Sequence, residues 1–355
     1  MLTNDPASSK QTFFSLQILR GLAAIFVVLH HYVQMVFLGK PTGRIAAFFL
    51  EKGPASVDVF FILSGFIMAY SARNYKGEGG RFMVNRFLRV IPNYWFYTTL
   101  LLVSSAILSL SCYITRWNIH SLWCSYLLLP NANPNGFGNF PFLYVGWSLT
   151  YEMFFYLALS LALIASSRWY FHLTCFTLGS LPLVLHGYNP FGVGNLYLLE
   201  FVSGMLLLVA FERLKRVPPA ATRSVLFALG VGLSIAMGSR GFDHLSRMML
   251  SLWLVAVAIQ LEPLAKRRHQ AVKMLVHFGD LSYSIYLSHV VVLGWTVALL
   301  GIPRTSLQHW VAICLFLSLV WLISYATYRG IETGPLPSYL KTRLDAVFGG
   351  RRREL

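Results

Sequence analysis

The chain has 355 residues, of which 56% are apolar and only 12% charged, and its formal net charge is +16. Soluble domains carry about 25% charged residues, so this composition excludes an ordinary water-soluble domain and a disordered chain, and four cysteines are too few for a disulfide scaffold. In a soluble protein the positive charge would suggest nucleic-acid binding. Here apolar stretches recur from end to end, and we expect that charge in loops on one side of a bilayer, with no nucleic-acid partner.

Apolar stretches long enough to cross a membrane occur ten times in the sequence. A helix needs about 20 mostly apolar residues to span a hydrocarbon core. The sequence therefore predicts an all-α polytopic membrane protein with about ten transmembrane helices. They are expected at residues 16–38, 56–73, 90–110, 147–166, 169–186, 195–211, 222–239, 246–262, 281–301 and 308–329. The shorter apolar piece at 122–130 is expected to be interfacial or re-entrant.

The distribution of basic residues predicts the orientation of these helices. With the N-terminus in the cytoplasm and ten spans, 22 of the 29 lysines and arginines fall on the inner side, as the positive-inside rule requires. Both termini are then cytoplasmic. The first span is not expected to be a signal peptide, because Arg20 lies inside it and no small-residue cleavage site follows. Seven basic residues fall outside: Lys40, Arg44, Lys52, Arg116, Arg240, Arg247 and Arg304.

The domain organisation is expected to be simple. Residues 1–340 are interpreted as one transmembrane domain, followed at 341–355 by a basic cytoplasmic tail that ends in Arg351-Arg352-Arg353 and would be attracted to anionic lipid. Cys112 and Cys124 share an outer segment and can pair if that compartment is oxidising, although their spacing does not establish it. No cysteine–histidine cluster has metal-ligand spacing, so no metal is expected.

Ionisable residues inside a membrane helix cost at least a few kcal/mol and by default mark function. In the first span, Arg20 and His30 are ten residues or about 15 Å apart, which puts Arg20 near the cytoplasmic surface and His30 deep in the membrane. His31 is aligned still more closely with Arg20, so geometry alone does not choose between the two histidines. The alternatives are an anchoring role for Arg20 and a backbone hydrogen bond for His30.

Further polar residues recur on other predicted helices. Arg86 and Arg89 share one helix face at the inner surface and suit phosphate groups, although they also fit ordinary positive-inside charge. Small residues at Ser64-Gly65 permit close helix packing. The remaining candidates are Asp58 in the second span, Ser148, Tyr151 and Glu152 at the start of the fourth, and Ser282, Tyr286 and His289 along one stripe of the ninth. That stripe is also consistent with hydrogen bonding between helices.

Taken in order along the chain, these motifs resemble acyltransferase family 3, the membrane-bound O-acyltransferases of bacterial surface sugars, over about residues 14–340. The residues that carry the resemblance are Arg20 with His30, Asp58 to Phe66, Arg86-Phe87-Leu88-Arg89 before Pro92, Trp147-Ser148-Leu149 with Glu152, Ser282 to His289, and Glu332. The short length and the first span look most like the branch that acetylates exopolysaccharide. Each motif alone is weak evidence for the family, but the order of the motifs along the chain makes the combined pattern specific.

The resemblance implies an acyltransferase of the bacterial inner membrane that moves an acyl group, commonly acetyl, from cytoplasmic acyl-CoA to a hydroxyl of a surface or exported glycan. It assigns acyl-CoA binding to Arg20, Arg86 and Arg89 and catalysis to His30. The donor is a substrate, and no permanently bound cofactor is expected. The expected partners are acyl-CoA, a glycan or lipid-linked oligosaccharide, the bilayer, and possible polysaccharide export machinery.

The chemistry fits this hypothesis. A neutral imidazole can take the proton of a sugar hydroxyl as it attacks the thioester, or can itself accept the acyl group. Asp58 or Glu152 is expected to orient the imidazole, and Tyr286 and Ser282 are candidate donors to the developing oxyanion. His31, Ser148, Tyr151, Ser282, Tyr286 and His289 are expected to bind substrate.

Two other classes of protein share some of these features. A transporter of a small solute or lipid-linked sugar would also carry intramembrane charge, but the two halves of the sequence show no convincing repeat. A non-catalytic scaffold in an export assembly is the third hypothesis, and it would tolerate substitution of the polar residues.

Overall fold

The computed structural model describes residues 13–343 apart from 42, 76, 109–115, 137, 186–187, 189, 191–193, 215–220, 223, 227, 231, 234–242, 268, 336, 338 and 341. Within these residues the secondary structure is helical and contains no β-strand. The predicted all-α class is therefore confirmed. Lys10, Cys112, Arg240 and most of the basic tail (341 and 344–355) lie outside the described residues, so the proposed pairing of Cys112 with Cys124 stays a prediction.

Twelve helices are numbered here in chain order. They are α1 (Phe14–Val36), α2 (Arg44–Lys52), α3 (Ala55–Ala72), α4 (Gly79–Leu108), α5 (Ile119–Tyr126), α6 (Trp147–Ala165), α7 (Tyr170–Val184), α8 (Tyr197–Leu214), α9 (His244–Gln260), α10 (Glu262–Ala265), α11 (Gln270–Leu300) and α12 (Ser306–Thr327). A 3-10 turn at Tyr144–Gly146 precedes α6, and a π-helical turn at Tyr328–Glu332 follows α12.

The described residues include six segments long and apolar enough to cross a membrane, so the chain is a multi-pass membrane protein. These are Phe14–Val36, Arg44–Ala72, Gly79–Ile107, Tyr144–Ala165, Gln270–Leu300 and Ser306–Glu332. The count of ten spans is not confirmed. Stretches 169–186 and 246–262 are shorter apolar helices, 195–211 corresponds to α8, and 222–239 is described only in part.

Three elements differ from the sequence-based expectation. The third predicted span, expected at 90–110, begins eleven residues earlier, because α4 starts at Gly79. The segment after α1 forms α2, whose backbone carbonyl at Phe49 accepts a hydrogen bond from His30 of α1. The ninth predicted span begins eleven residues earlier than expected, because α11 continues through Lys273, His277 and Asp280. The first turns of α11 contain polar residues, so a count of apolar residues does not include them. These residues are nevertheless compatible with a helix.

Glycines allow two helix pairs to approach closely. A Cβ on Gly65 of α3 would lie 2.1 Å from the carbonyl oxygen of Phe201 on α8, and one on Gly204 would lie 2.1 Å from that of Ile62. A Cβ on Gly279 of α11 would likewise lie 2.0 Å from the carbonyl oxygen of Gln17 on α1. Small residues at such crossings are how membrane helices gain close packing. The close packing predicted for Ser64-Gly65 is confirmed.

The first turn of α1 is anchored by an acidic residue distant in sequence. The buried carboxylate of Glu262 on α10 accepts hydrogen bonds from the backbone N–H groups of Phe14 (3.2 Å) and Ser15 (2.9 Å) and from the Ser15 hydroxyl (2.8 Å). An anion at a helix N-terminus also interacts favourably with the helix dipole. This contact fixes the start of α1, the helix that carries Arg20 and both histidines.

Candidate active site

A cavity between α1, α3, α4, α6 and α11 brings together seven of the twelve predicted site residues. It encloses about 830 Å³ of atom-free space, part of it open to solvent. The predicted residues that line it are Arg20, Arg86, Arg89, Ser148, Glu152, Ser282 and Tyr286. The other walls are mostly apolar, from Val57, Phe60, Phe61 and Leu63 of α3 and Leu149 of α6. A mostly apolar cavity with few convergent polar groups is the usual form of a small-molecule site.

One side of this cavity is strongly cationic. Arg86 and Arg89, three residues apart on α4, both line it, and neither guanidinium hydrogen-bonds a protein group within the described residues. Arg86 rests on the ring of Phe82, with its guanidinium carbon 5.4 Å from the ring centre. Guanidinium groups left without protein partners are available to an anionic ligand, for which bidentate hydrogen bonds to phosphate are the natural choice.

Arg20 joins this cationic side from α1. Its Nη1 donates to Gln17 Oε1 at 3.2 Å, and Gln17 Nε2 donates to Asp280 Oδ1 on α11 at 2.7 Å. The chain from Arg20 to Asp280 holds the guanidinium against the crossing of α1 and α11. We conclude that Arg20 is held in place rather than extended freely toward the lipid surface.

Two carboxylates stand close to the arginines. Glu152 lines the cavity and accepts hydrogen bonds from the hydroxyls of Tyr156 and Ser64, the latter at 3.1 Å. Glu332 lies behind the cavity wall, where it accepts from Asn93 Nδ2 (2.9 Å) and from the Ser284 hydroxyl and interacts electrostatically with Arg89 and Arg20. These acids partly balance the three guanidinium charges while leaving the site net positive.

The hydroxyl groups of the cavity are in two different states. Tyr286 donates to the carbonyl oxygen of Val145 at 2.8 Å and lies 2.9 Å from the Ser148 hydroxyl, so its proton is already engaged. Ser282 is 1% exposed, lines the cavity and has no hydrogen-bond partner among the described residues. Of the two predicted oxyanion donors, Ser282 is therefore the one with a free hydroxyl proton.

The histidines form a separate group beside the cavity. His31 stacks on His289, with ring centres 5.2 Å apart and planes 24° apart, and its Nδ1 lies 3.1 Å from Gln34 Oε1 and 3.2 Å from the Tyr144 hydroxyl. His289 in turn lies 5.9 Å, ring centre to ring centre, from Tyr286, which lines the cavity. The stacked histidines are thus linked to the cavity through one tyrosine ring.

The His30 ring lies edge-on to the His31 ring, with ring centres 4.9 Å apart, but it is held by a different helix. Its Nδ1 donates to the backbone carbonyl of Phe49 on α2 at 3.1 Å, and its ring packs on Gly53, where a Cβ would lie 2.4 Å from the His30 Cγ and Nδ1 atoms. Consecutive residues on a helix differ by about 100° in direction, so the neighbouring imidazoles face different helices. The His31 ring stacks on His289 of α11, the helix that also carries Ser282 and Tyr286, whereas the His30 ring is held by α2 and contacts His31.

The remaining predicted residues lie away from the histidines. Neither Asp58 nor Glu152 hydrogen-bonds an imidazole of α1, contrary to the expected orienting role. Phe49, Gln34 and Tyr144 hold those rings instead. Asp58 belongs to a cluster with Arg247 of α9, and Tyr151 is fully buried with its hydroxyl bonded to the backbone of Gly194 at 3.0 Å.

Several residues of the site were missed by sequence reasoning. Gln34 and Tyr144 contact His31 but are unremarkable in sequence, because a glutamine near a helix end and a tyrosine in a loop carry no distinguishing pattern. Glu200 and Arg247 belong to a polar cluster outside the cavity and are different. Both lie within stretches predicted to cross the membrane, and their intramembrane charge was a signal that could have found them.

Comparison with known proteins identifies the family of the chain. The family model described as an acyltransferase domain matches residues 13–329. The exopolysaccharide production protein ExoZ of Rhizobium meliloti (strain 1021) is 31% identical over 318 residues, covering 85% of this chain and 95% of that protein. Nodulation protein 10 of Rhizobium leguminosarum bv. viciae is 27% identical over 326 residues, covering 84% of this chain and 87% of that protein. No solved structure matches significantly.

These findings define the class of the protein, an enzyme that transfers acyl groups. The chain belongs to acyltransferase family 3, as its motifs predict.

Proposed function

We propose that this enzyme transfers an acyl group, acetyl in the first instance, from cytoplasmic acyl-CoA to a hydroxyl of an exported polysaccharide, within the bacterial inner membrane. The name of the relative from Rhizobium meliloti refers to exopolysaccharide production, which supports a polysaccharide acceptor. The observation that carries the proposal is the cavity itself, because it joins three arginines to free and paired hydroxyls and, through Tyr286 and then His289, to His31.

The cationic side of the cavity suits the nucleotide end of the donor. Coenzyme A carries phosphates, and Arg86 and Arg89 offer guanidinium groups that have no hydrogen-bond partner in the described part of the chain. The apolar wall from Val57 to Leu63 suits the long thin arm that ends in the thioester. Arg20 and His31 are eleven residues or about 16 Å apart along α1, so the donor would extend along that helix from one to the other.

The reacting groups then follow from the geometry around His31. An amide oxygen only accepts hydrogen bonds, so Nδ1–H of His31 donates to Gln34 Oε1 and leaves Nε2 with a lone pair. Nε2 of His31 would take the proton of the sugar hydroxyl while the oxygen of that hydroxyl attacks the thioester carbon. The tetrahedral oxyanion then expels the coenzyme A thiolate, which receives that proton from the imidazolium. Ser282 is proposed to donate to the oxyanion.

Labelled donor and purified enzyme test this function. The full chain in lipid nanodiscs is mixed with acetyl-CoA carrying a ¹⁴C acetyl group and with bacterial exopolysaccharide stripped of its acetyl groups. We expect label to appear in the polysaccharide and free coenzyme A thiol to appear in equal amount. Release of the thiol without labelled polysaccharide would contradict the proposed acceptor. The absence of both products would contradict the proposed donor as well.

A further inference from the structure

A second buried polar cluster lies at the first turns of α3, α8 and α9, apart from the cavity. It consists of Asp58, Glu200, His244 and Arg247 and is called here the carboxylate cluster. Both acidic side chains are 0% exposed. Arg247 Nε lies 3.3 Å from Asp58 Oδ2, and His244 Nε2 lies 3.4 Å from Glu200 Oε1. None of the four residues lines the cavity.

Arg247 determines where the proton of His244 sits. Its Nη2 donates to the Tyr197 hydroxyl at 3.1 Å and lies 3.1 Å from His244 Nδ1. A guanidinium only donates, so Nδ1 must be the acceptor and the single ring proton lies on Nε2, which faces Glu200. A second proton on Nδ1 would point at the guanidinium. His244 is therefore neutral and contributes no charge.

The charges of the cluster do not balance if both acids are ionised. Asp58 on α3 and Glu200 on α8 face one cation, Arg247 on α9, and the other titratable group in contact is the neutral hydroxyl of Tyr197. Asp243, at the start of α9, is turned to its own helix, where it accepts from the backbone of Ser246. All four carboxylate oxygens lack a geometrically good hydrogen bond within the described residues. Burying a second unpaired carboxylate would cost far more free energy than binding a proton.

One positive charge is therefore missing, and either a metal ion or a proton can supply it. The ligating atoms of Asp58, Glu200 and His244 lie within 4.8 Å of one another, a spacing that a metal ion can bridge. However, a metal ion needs the lone pair of Nε2, which here carries the proton, and it would sit beside the guanidinium of Arg247. The hydrogen bonding therefore favours a proton.

We propose that Glu200 is protonated and donates a hydrogen bond to Asp58, so that the carboxylate cluster is a neutral clamp joining α3, α8 and α9. Asp58 stays ionised and is balanced by Arg247. Val57, Phe60 and Phe61 lie within three residues of Asp58 and line the cavity, so the clamp also holds one cavity wall in place. This assignment does not depend on the proposed acyl transfer.

The clamp has a consequence for stability. An unfolded chain releases a glutamate proton near pH 4.3, whereas the native cluster keeps it at neutral pH. The native state then binds more protons than the unfolded state, so the free energy of unfolding falls as the pH rises. The Glu200→Gln substitution would keep the neutral hydrogen bonds without any proton to lose.

Infrared spectroscopy and thermal unfolding of the full chain in nanodiscs test the proposal. We expect a protonated-carboxyl stretching band at pH 7 that is reduced in Glu200→Gln. We expect this variant to fold and to lose part of the decrease in Tm with rising pH. Asp58→Asn, which leaves Arg247 without its anion, should lower Tm strongly. The matched control Glu51→Gln, at an exposed carboxylate paired with Lys52, should leave the band and Tm unchanged.

Three results would overturn the assignment. They are an infrared band that Glu200→Gln does not reduce, a Glu200→Gln variant that misfolds or is as destabilised as Asp58→Asn, and a stoichiometric metal ion in elemental analysis of the purified protein. Each of these can occur whether or not the enzyme transfers acetyl groups, so a failure here is distinct from a failure of the proposed function.

Discussion

The imidazole of His31 stacks on the fully buried imidazole of His289, with ring centres 5.2 Å apart. His289 Nδ1 donates to the carbonyl oxygen of Ile285 at 3.2 Å, which leaves its Nε2 buried and without a partner. Two imidazoles in contact, each held by a hydrogen bond at Nδ1, present two ring nitrogens that can accept a proton. This pair of imidazoles, rather than a histidine–carboxylate pair, contacts the cavity through the Tyr286 ring.

Ser282 and Tyr286 are expected to respond differently to loss of their hydroxyl groups. Ser282→Ala removes the free hydroxyl proton of the cavity, and we expect kcat to fall about 100-fold, the usual effect of losing one oxyanion donor. Tyr286→Phe removes a hydroxyl whose proton is engaged by Val145 and should reduce kcat much less. Steady-state acetyl transfer by the two variants measures this. Equal losses would contradict the assignment of Ser282.

Arg86 and Arg89 are expected to act on donor affinity. Charge-assisted hydrogen bonds contribute about 1.5–3 kcal/mol each, so Arg86→Ala or Arg89→Ala should raise the KM for acetyl-CoA about 10- to 100-fold. Added salt should raise the wild-type KM by screening the same charges. Arg168→Ala is the matched control, because Arg168 is exposed and stacks on Trp169 away from the cavity. A KM unchanged in both α4 variants would place the donor elsewhere.

Glu262 is expected to stabilise the start of α1. Glu262→Ala removes three hydrogen bonds to Phe14 and Ser15 and leaves buried donors unpaired, so the free energy of unfolding should fall by about 2–3 kcal/mol. Denaturation in mixed micelles measures this, with the exposed Glu51→Ala as control. A Glu262→Ala variant as stable as that control would show that the cap contributes nothing.

Substitution of glycine by alanine is expected to affect stability differently at Gly65, where α3 crosses α8, and at Gly179. Gly65→Ala would place a methyl group 2.1 Å from the carbonyl oxygen of Phe201, and forcing the helices apart should cost about 1–3 kcal/mol. Gly179→Ala on α7 has no atom within 4 Å of its new methyl group and should be neutral or stabilising by up to about 1 kcal/mol. The same unfolding measurement applies. Similar effects at both positions would mean that the crossing is looser than described.

The helices could be predicted from the sequence because lipid demands long apolar segments, and nine of the ten predicted stretches coincide with described helices. Helices that depend on tertiary contacts escaped the same reasoning. Helix α2 is short, and α11 begins with polar turns that a count of apolar residues excludes. The length of an apolar stretch therefore predicts the position of a helix more accurately than it predicts the first residue of that helix.

The candidate site could be predicted in its residue types and only partly in its pairings. The family resemblance implies that Arg20, Arg86 and Arg89 bind one ligand, and the three arginines line one cavity. The choice between His30 and His31 could not be made from a single helix. It depends on which helices pack on each side of α1, and that information lies in Phe49 and His289, 18 and 258 residues away from His31 in sequence.

The central claim is that acetyl-CoA bound by the arginines gives up its acetyl group beside His31. The most direct test compares His31→Ala with His30→Ala, its matched neighbour, in transfer of ¹⁴C-acetyl from acetyl-CoA to polysaccharide. We predict that His31→Ala lowers kcat by about 10²–10⁴-fold while His30→Ala retains most of the wild-type rate, since removing a general base has that effect. Full activity in His31→Ala, or loss only in His30→Ala, would contradict the account.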